Sequence, residues 1–206
     1  MIEQRTQEWL EIRSGKFTAS DIHRLMGARG MGKTGETYVM EKVAEQLGAH
    51  LPHVETKSME HGTATEPFAK LHYERAFGVE IEDQSFIIAD WCEDAGCSPD
   101  GIVTALNRGI EVKCPYSPAN HIKHLMIKTA DDLKDIAPEY YWQVQMCIAV
   151  TGLRQWDFVS YCDEFTGELR MMAILINAND TDIELMKGRI NEAVKMKYET
   201  IKKIWG

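Results

Sequence analysis

Asp100, Glu111 and Lys113 are the residues whose types and spacing point most directly to chemistry. They lie in Ser98-Pro99-Asp100-Gly101 and, after a short interval, in Gly109-Ile110-Glu111-Val112-Lys113. Alternate residues of a strand share a face, so Glu111 and Lys113 point one way while Ile110 and Val112 point the other. If 102–114 folds as a hairpin with an even-numbered loop, Asp100 joins that face; an odd loop or a bulge breaks the arrangement. Two converging carboxylates repel each other unless a cation joins them. Hard oxygen donors without a His/Cys cluster favour Mg²⁺ or Mn²⁺ over zinc. A lysine beside the metal can orient or deprotonate a water and stabilise charge on a phosphoryl group. Such a set suits hydrolysis of a phosphodiester. The same residues also fit a solvent-exposed charged strand, and alone they leave the two readings open.

A second motif competes. Gly27-Ala28-Arg29-Gly30-Met31-Gly32-Lys33-Thr34 satisfies the GxxxxGK[ST] pattern of a phosphate-binding P-loop. That loop must follow a buried strand, whereas 20–26 carries Asp21, His23 and Arg24 at helical spacing. The expectation is a loop between helices, with a P-loop nucleotide-binding protein kept as an alternative.

The elements that must position these residues follow from periodicity and punctuation. Thr6 caps a short helix through Trp9, Leu10 and Ile12. Thr18 or Ser20 caps a second through Ile22 and Leu25, and a Gly-rich loop spans 27–35. Helices are expected over 36–47, 65–77 and 138–150, and strands over 79–89, 102–105, 109–114, 156–161 and 169–176. A long amphipathic helix is expected over 181–204, its apolar positions Ile183, Met186, Ile190, Val194 and Ile201 packing on its own domain. The fold class is α/β (α+β), a central mixed sheet flanked by helices. No linker or internal repeat divides residues 1–206, which read as a single domain.

Composition bounds the function classes. The chain has 206 residues and a formal charge of −9, with 32 acidic against 23 basic residues. That balance argues against a protein that simply coats DNA with basic charge. The start Met1-Ile2-Glu3-Gln4-Arg5 has no apolar signal region, and no apolar run is long enough for a membrane span, so the expected location is cytoplasmic. Five scattered cysteines, without a CxxC pair, suggest free thiols and no structural zinc. His61 and His72 read as structural. His121 and His124 share a helix face but lack a third ligand, so they are assigned no metal.

Pro99-Asp100 with Glu111-Val112-Lys113 resembles the PD-(D/E)XK nuclease motif. More specifically, the chain resembles the bacteriophage lambda exonuclease and YqaJ-type viral recombinase family, to about residue 176. The blocks that carry this resemblance are the run from Trp9 to Ser20, Gly62-Thr63-Ala64-Thr65-Glu66-Pro67, Ser98-Pro99-Asp100-Gly101, Glu111-Val112-Lys113-Cys114-Pro115 and Tyr140-Tyr141-Trp142-Gln143-Val144-Gln145. The resemblance implies a restriction-endonuclease-like core and a processive, Mg²⁺-dependent 5′-to-3′ exonuclease on linear double-stranded DNA. The enzyme would release mononucleotides and leave 3′ single strands for annealing recombination; Mn²⁺ is a possible substitute metal. It implies that Asp100, Glu111 and the backbone carbonyl of Val112 hold the metal, that Lys113 activates water and that Glu66 assists. It implies that Arg13, Ser20 and Ser98 grip a 5′-phosphate and that Gln143 reaches the site, with Gln145 left open as the other choice. Trp9, Trp142 and Trp156 read as core or interface aromatics.

The resemblance also implies a homotrimeric ring threaded by DNA and a single-strand annealing protein as partner. Capture in a ring lessens the need for a basic surface, with Arg13, Lys16, Arg24, Arg29, Lys33, Lys123 and Lys128 as candidates to line the path. A DNA-end binding scaffold without catalysis is a further alternative, disfavoured by the full Asp100, Glu111 and Lys113 set.

Overall fold

The computed structural model describes residue 4, residues 6–49 and residues 56–206. Its centre is a four-stranded sheet in the order β4 (Gly101–Val103), β5 (Arg108–Lys113), β6 (Gln155–Tyr161) and β7 (Met171–Asn177). The outer pairs are antiparallel and β5 runs parallel to β6, so this sheet is mixed, as expected. Parallel neighbours need a long crossover. Residues 114–154 supply it through three helices, α4 (Pro118–Leu125), α5 (Ala130–Ile136) and α6 (Pro138–Thr151).

A second sheet has the order β1 (Phe17–Thr18), β3 (Cys92–Cys97) and β2 (Ile87–Ala89). It corrects two expectations. The strand read over 79–89 is extended pairing only at Ile87–Ala89, with one isolated bridge from Glu82 to Ile102. Glu80, Glu82 and Asp83 sit where a paired strand would need apolar residues. β3 was not foreseen, because Cys92-Glu93-Asp94-Ala95-Gly96-Cys97 has no β-branched or aromatic residue to mark it.

The helical elements differ mainly at their starts. α1 (Gln7–Arg13) is capped as expected, the Thr6 side chain accepting from Trp9 N–H. The segment Ala19–Leu25 forms a 3-10 helix, and the Thr18 side chain makes no cap bond. α2 (Gly32–Gln46) begins earlier than expected and absorbs Gly32, Lys33 and Thr34. α3 (Lys57–Phe77) starts eight residues before the predicted Thr65, where Thr56 accepts from Met59 N–H; Thr65 is buried mid-helix. Its first two turns are mostly polar, so no apolar stripe announced them. The last helix, α7 (Asp180–Trp205), is capped by Asn179.

Two apolar layers sandwich the four-stranded sheet. Ile110, Val112, Val159 and Tyr161 pack with Ala69 and Tyr73 of α3. Trp156, Phe158 and Ile176 face a larger cluster that includes Val144 and Ile148 of α6, Val39 of α2, and Met186 and Ile190 of α7. Each large side chain so buried stabilises the fold by about 1.5–3 kcal/mol. Gly109 is the place where β5 must lack a side chain: a Cβ there would lie 2.2 Å from the ring of Trp156. The amphipathic face of α7 therefore packs on its own chain, through Ile183, Met186, Ile190 and Ala193.

Candidate active site

The hairpin condition is met. Gly101 pairs with Ile110, Ile102 with Gly109 and Val103 with Arg108, leaving the even-numbered connection 104–107. Asn107 closes it in the left-handed region at φ 52°. One further step of this register sets Asp100 against Glu111. Asp100 Oδ2 accepts a 2.7 Å hydrogen bond from the Val112 backbone N–H, which ties the carboxylate to the neighbouring strand.

Asp100, Glu111 and Lys113 thus meet at one end of the sheet. Lys113 Nζ lies 2.6 Å from Glu111 Oε1. Glu111 is 1% exposed, and its Oε2 is buried without a hydrogen-bond partner. Burial, and then the nearby Glu111 and Glu66 carboxylates, push the Asp100 carboxyl well above the usual range. Burial also raises Glu111; the attraction of Lys113 opposes that rise and the Glu66 charge adds to it. Burial alone would lower the Lys113 ammonium, but Glu111 and Asp100 outweigh it and hold its proton more firmly.

These observations fit a bound divalent cation. A buried carboxylate oxygen without a partner, beside a second carboxyl whose pKa is raised by burial and by neighbouring carboxylates, is a place that a cation would relieve. The donors are hard oxygens. Among the described residues, no group of three His, Cys, Asp or Glu side chains forms a closed metal cage. An open carboxylate pair suits Mg²⁺, which retains waters, better than zinc.

Every residue singled out for the site lines one open cleft of about 480 Å³. Arg13 enters it from α1. Its Nη1 donates to Ser98 Oγ at 3.1 Å, and its Nη2 lies 3.5 Å from Ser20 Oγ. The guanidinium stacks 3.9 Å from the centre of the Trp9 ring, whose Nε1–H donates to the same Ser98 Oγ at 3.0 Å. Trp9 therefore belongs to the cleft, correcting its reading as a core or interface aromatic. Trp142 and Trp156 are buried in the core, as read. Burial lowers the pKa of Arg13, opposed by Tyr38 and Asp21.

Glu66, in the third turn of α3, reaches the same cleft and pairs with Lys70 at 3.1 Å. The α6 ambiguity is resolved by packing. Gln143 Oε1 accepts from Lys113 Nζ at 3.2 Å. Gln145 is fully buried elsewhere, donating to the Asn177 carbonyl at 3.0 Å and accepting from Asn179 N–H at 2.9 Å. Tyr140, missed by the sequence reading, lies one turn before Gln143, with its ring centre 4.7 Å from Lys113 Nζ. The spacing Tyr140/Gln143 on one helix face was the available signal.

Other candidates fall outside the cleft. The GxxxxGKT loop follows a 3-10 helix, not a strand, so the P-loop context is absent. Arg24, a proposed path residue, is committed to Glu41 by hydrogen bonds of 2.6 and 2.7 Å. His121 Nδ1 and His124 Nδ1 both meet Ser160 Oγ, at 2.9 and 2.8 Å. The hydroxyl has one proton to share between them, and the two rings meet there as a buried polar network. A larger hollow, about 630 Å³, is lined by Glu74, Glu80 and Glu82 and holds none of the site residues. Among the described residues, no helix is long and apolar enough to cross a membrane.

The mixed sheet, with Asp100 at the start of one strand and Glu111-x-Lys113 on the next, defines a protein of the PD-(D/E)XK-like fold. A family model described as YqaJ-like viral recombinase domain matches residues 8–154, and the chain belongs to that family. The structure is similar to that of an alkaline exonuclease from Laribacter hongkongensis, with a TM-score of 0.85 and 26% identity, covering 97% of this chain and 96% of that one. The same enzyme in complex with dAMP gives the same values. A phage related exonuclease from Haemophilus somnus 129PT shares the fold, with a TM-score of 0.77 and 16% identity over 92% of this chain and 96% of that one. An uncharacterized protein of Acanthamoeba polyphaga mimivirus is 27% identical over 169 residues, 76% of this chain. The match spans only 29% of that viral protein's length.

Proposed function

We propose that the chain is a divalent-metal-dependent exonuclease acting on linear double-stranded DNA. It digests the 5′-ended strand processively to mononucleotides and leaves 3′ single strands for annealing recombination. The observation that carries this reading is the convergence of Asp100, Glu111 and Lys113 in the cleft that also holds the Arg13, Ser20 and Ser98 donors. The likeness to an alkaline exonuclease, also solved with dAMP, supports it.

Asp100, Glu111 and the Val112 carbonyl would hold the metal, Mg²⁺ by preference and Mn²⁺ as a substitute. When bound, the metal supplies Lewis-acid polarisation of the scissile phosphate and a more acidic attacking water. Lys113, beside both carboxylates, would stabilise negative charge on the phosphoryl oxygens and orient or activate water. Gln143 steadies the Lys113 ammonium from α6, and Tyr140 offers it an aromatic face. Glu66 assists from α3 by orienting water. Arg13, with Ser98 and Ser20, presents guanidinium and hydroxyl donors to a terminal 5′-phosphate, whose two charges favour a forked cation. Such a grip sets the polarity of digestion by docking the end before the scissile bond.

By family resemblance, a closed homotrimer would retain DNA by topology despite the formal charge of −9, and a single-strand annealing protein would receive the 3′ strand.

The test is release of acid-soluble nucleotide from linear 5′-phosphorylated duplex in Mg²⁺, with Lys113→Ala alongside. Wild type digests the duplex, Lys113→Ala does not, and a circular plasmid stays intact. Digestion of the circle would make the chain an endonuclease. Loss of all activity together with ATP binding at Lys33 would favour a nucleotide-binding protein.

A further inference from the structure

Lys197 lies on α7, beyond the segment matched by the family model, yet it is fully buried. Its ammonium has three donors, and three acceptors face it: Asp94 Oδ1 at 2.5 Å, the Gly15 carbonyl at 3.0 Å and Gln46 Oε1 at 3.4 Å. A buried ammonium is tolerated only where such partners replace water. The partners are informative. Gly15 lies two residues after Arg13 and five before Ser20. Asp94 lies on β3, four residues before Ser98. One side chain therefore ties together both segments that carry the phosphate donors.

The other polar groups of this loop are held as well. Gly15 N–H donates to Glu45 Oε2 at 2.7 Å, and Thr18 N–H donates to the Tyr38 hydroxyl at 3.1 Å. Gly15 adopts φ 72°, open to glycine, and a Cβ there would stand 2.7 Å from Gln46 Oε1. Phe17 and Thr18 then pair with Ala95 and Gly96, so the anchor at Lys197 sits at the start of the β1–β3 ladder. The phosphate donors sit at its far end. Gly15, between Arg13 and β1, is thus clamped from α2 through its N–H and from α7 through its carbonyl.

We infer that Lys197 is a positioning residue for the 5′-phosphate grip: through Gly15 and Asp94 it sets the spacing of Arg13, Ser20 and Ser98. The inference rests on the reading of those three residues given under Proposed function. It makes α7 part of the scaffold that spaces the grip and not an appendage.

The experiment compares duplexes with a 5′-phosphate or a 5′-hydroxyl end, first by fluorescence anisotropy in EDTA, then by digestion in Mg²⁺. Wild type prefers the phosphate in both assays. Lys197→Met, with folding checked by circular dichroism, lowers that preference about tenfold, as expected when a remote change misplaces a binding group by a fraction of an ångström. The loss falls on KM for the phosphorylated end, while kcat on the hydroxyl end stays within about twofold. A merely structural lysine would depress both ends together. Lys197→Met leaves buried Asp94 with the Tyr198 hydroxyl, 3.3 Å away, but without its cation, so Asp94→Leu with Lys197→Met serves as a second variant that removes the stranded charge. It shows the same loss of preference.

A folded variant that keeps the wild-type preference, or loses equally on both ends, overturns the inference. A wild type with no phosphate preference in either assay overturns it too, while metal-dependent digestion would leave the nuclease reading standing. A wild type that discriminates ends in EDTA but digests nothing overturns the nuclease reading alone. Lys197 is then decided by the binding preference.

Discussion

Lys113 Nζ and Glu111 Oε1 are 2.6 Å apart, while Glu111 Oε2 is buried without a partner. The lysine thus neutralises one edge of the carboxylate and leaves the other buried and unpaired. This asymmetry is what a cation between Asp100 and Glu111 would complete, and it gives the first expectation. Glu111→Gln removes a charge that is costly in the bare protein. Its melting temperature without metal matches or exceeds that of wild type, while the rise that Mg²⁺ gives wild type disappears. Digestion falls by about 10²–10³-fold or more. Calorimetry with and without Mg²⁺ checks this; an undiminished Mg²⁺ shift in the variant would rule out Glu111 as a ligand.

The two glutamines of α6 separate function from folding. Gln143→Ala loosens Lys113 and lowers kcat by roughly tenfold, with stability within about 0.5 kcal/mol of wild type. Gln145→Ala does the reverse. It strands the Asn177 carbonyl and Asn179 N–H at the start of α7 and costs about 1–3 kcal/mol. Urea unfolding paired with single-turnover digestion distinguishes them, and the opposite pattern would exchange their roles.

Gly109→Ala tests the packing beneath Glu111. The added methyl would lie 2.2 Å from the Trp156 ring, which is fully buried and has little room to move. Overpacking of this kind costs about 1–3 kcal/mol. A shift in the urea midpoint with an unchanged slope is expected; a neutral result would mean the β5–β6 interface yields more readily than the register implies.

His124 offers a pH test on a group other than Asp100 and Glu111. Burial, then the charges of His121 and Lys113, lower it to about 4. Its folded value lies below the unfolded one of about 6.5, so the unfolded chain binds more protons between them. Its contribution is present above the unfolded value and is lost as pH falls toward 4. Between about pH 7 and pH 5 this amounts to on the order of 1 kcal/mol, allowing for partial solvent access. His124→Gln flattens that part of the stability profile. Urea midpoints at the two pH values measure it, and equal slopes in both proteins would remove the assignment.

Much of the site was legible because it is local. Asp100 and Glu111 are joined by a short hairpin, and period-two alternation with an even connection suffices to put them on one face. The helix over 138–150 and the strand pair 156–161 and 169–176 were equally plain, since their apolar runs end at Gly, Pro or acidic turns. β3 was invisible because a strand of Cys, Glu, Asp, Ala and Gly owes its conformation to its neighbours. The first turns of α3 were missed because their burial is slight and their pattern polar.

The residues alone supplied a candidate chemistry: hard oxygen donors, a lysine two positions from one of them, and the alternation that makes them neighbours. They left open whether that face would be solvated or buried. Only the tertiary structure decided it, because desolvation and crowding are properties of what packs around a group. Arg13 meets Ser98 across 85 positions. Gln143 and not Gln145 turns toward Lys113, and Lys197 reaches Gly15 across 182 positions. No sequence period encodes such distances. They follow from how α1, α6 and α7 are seated against the sheets by the burial of their apolar faces.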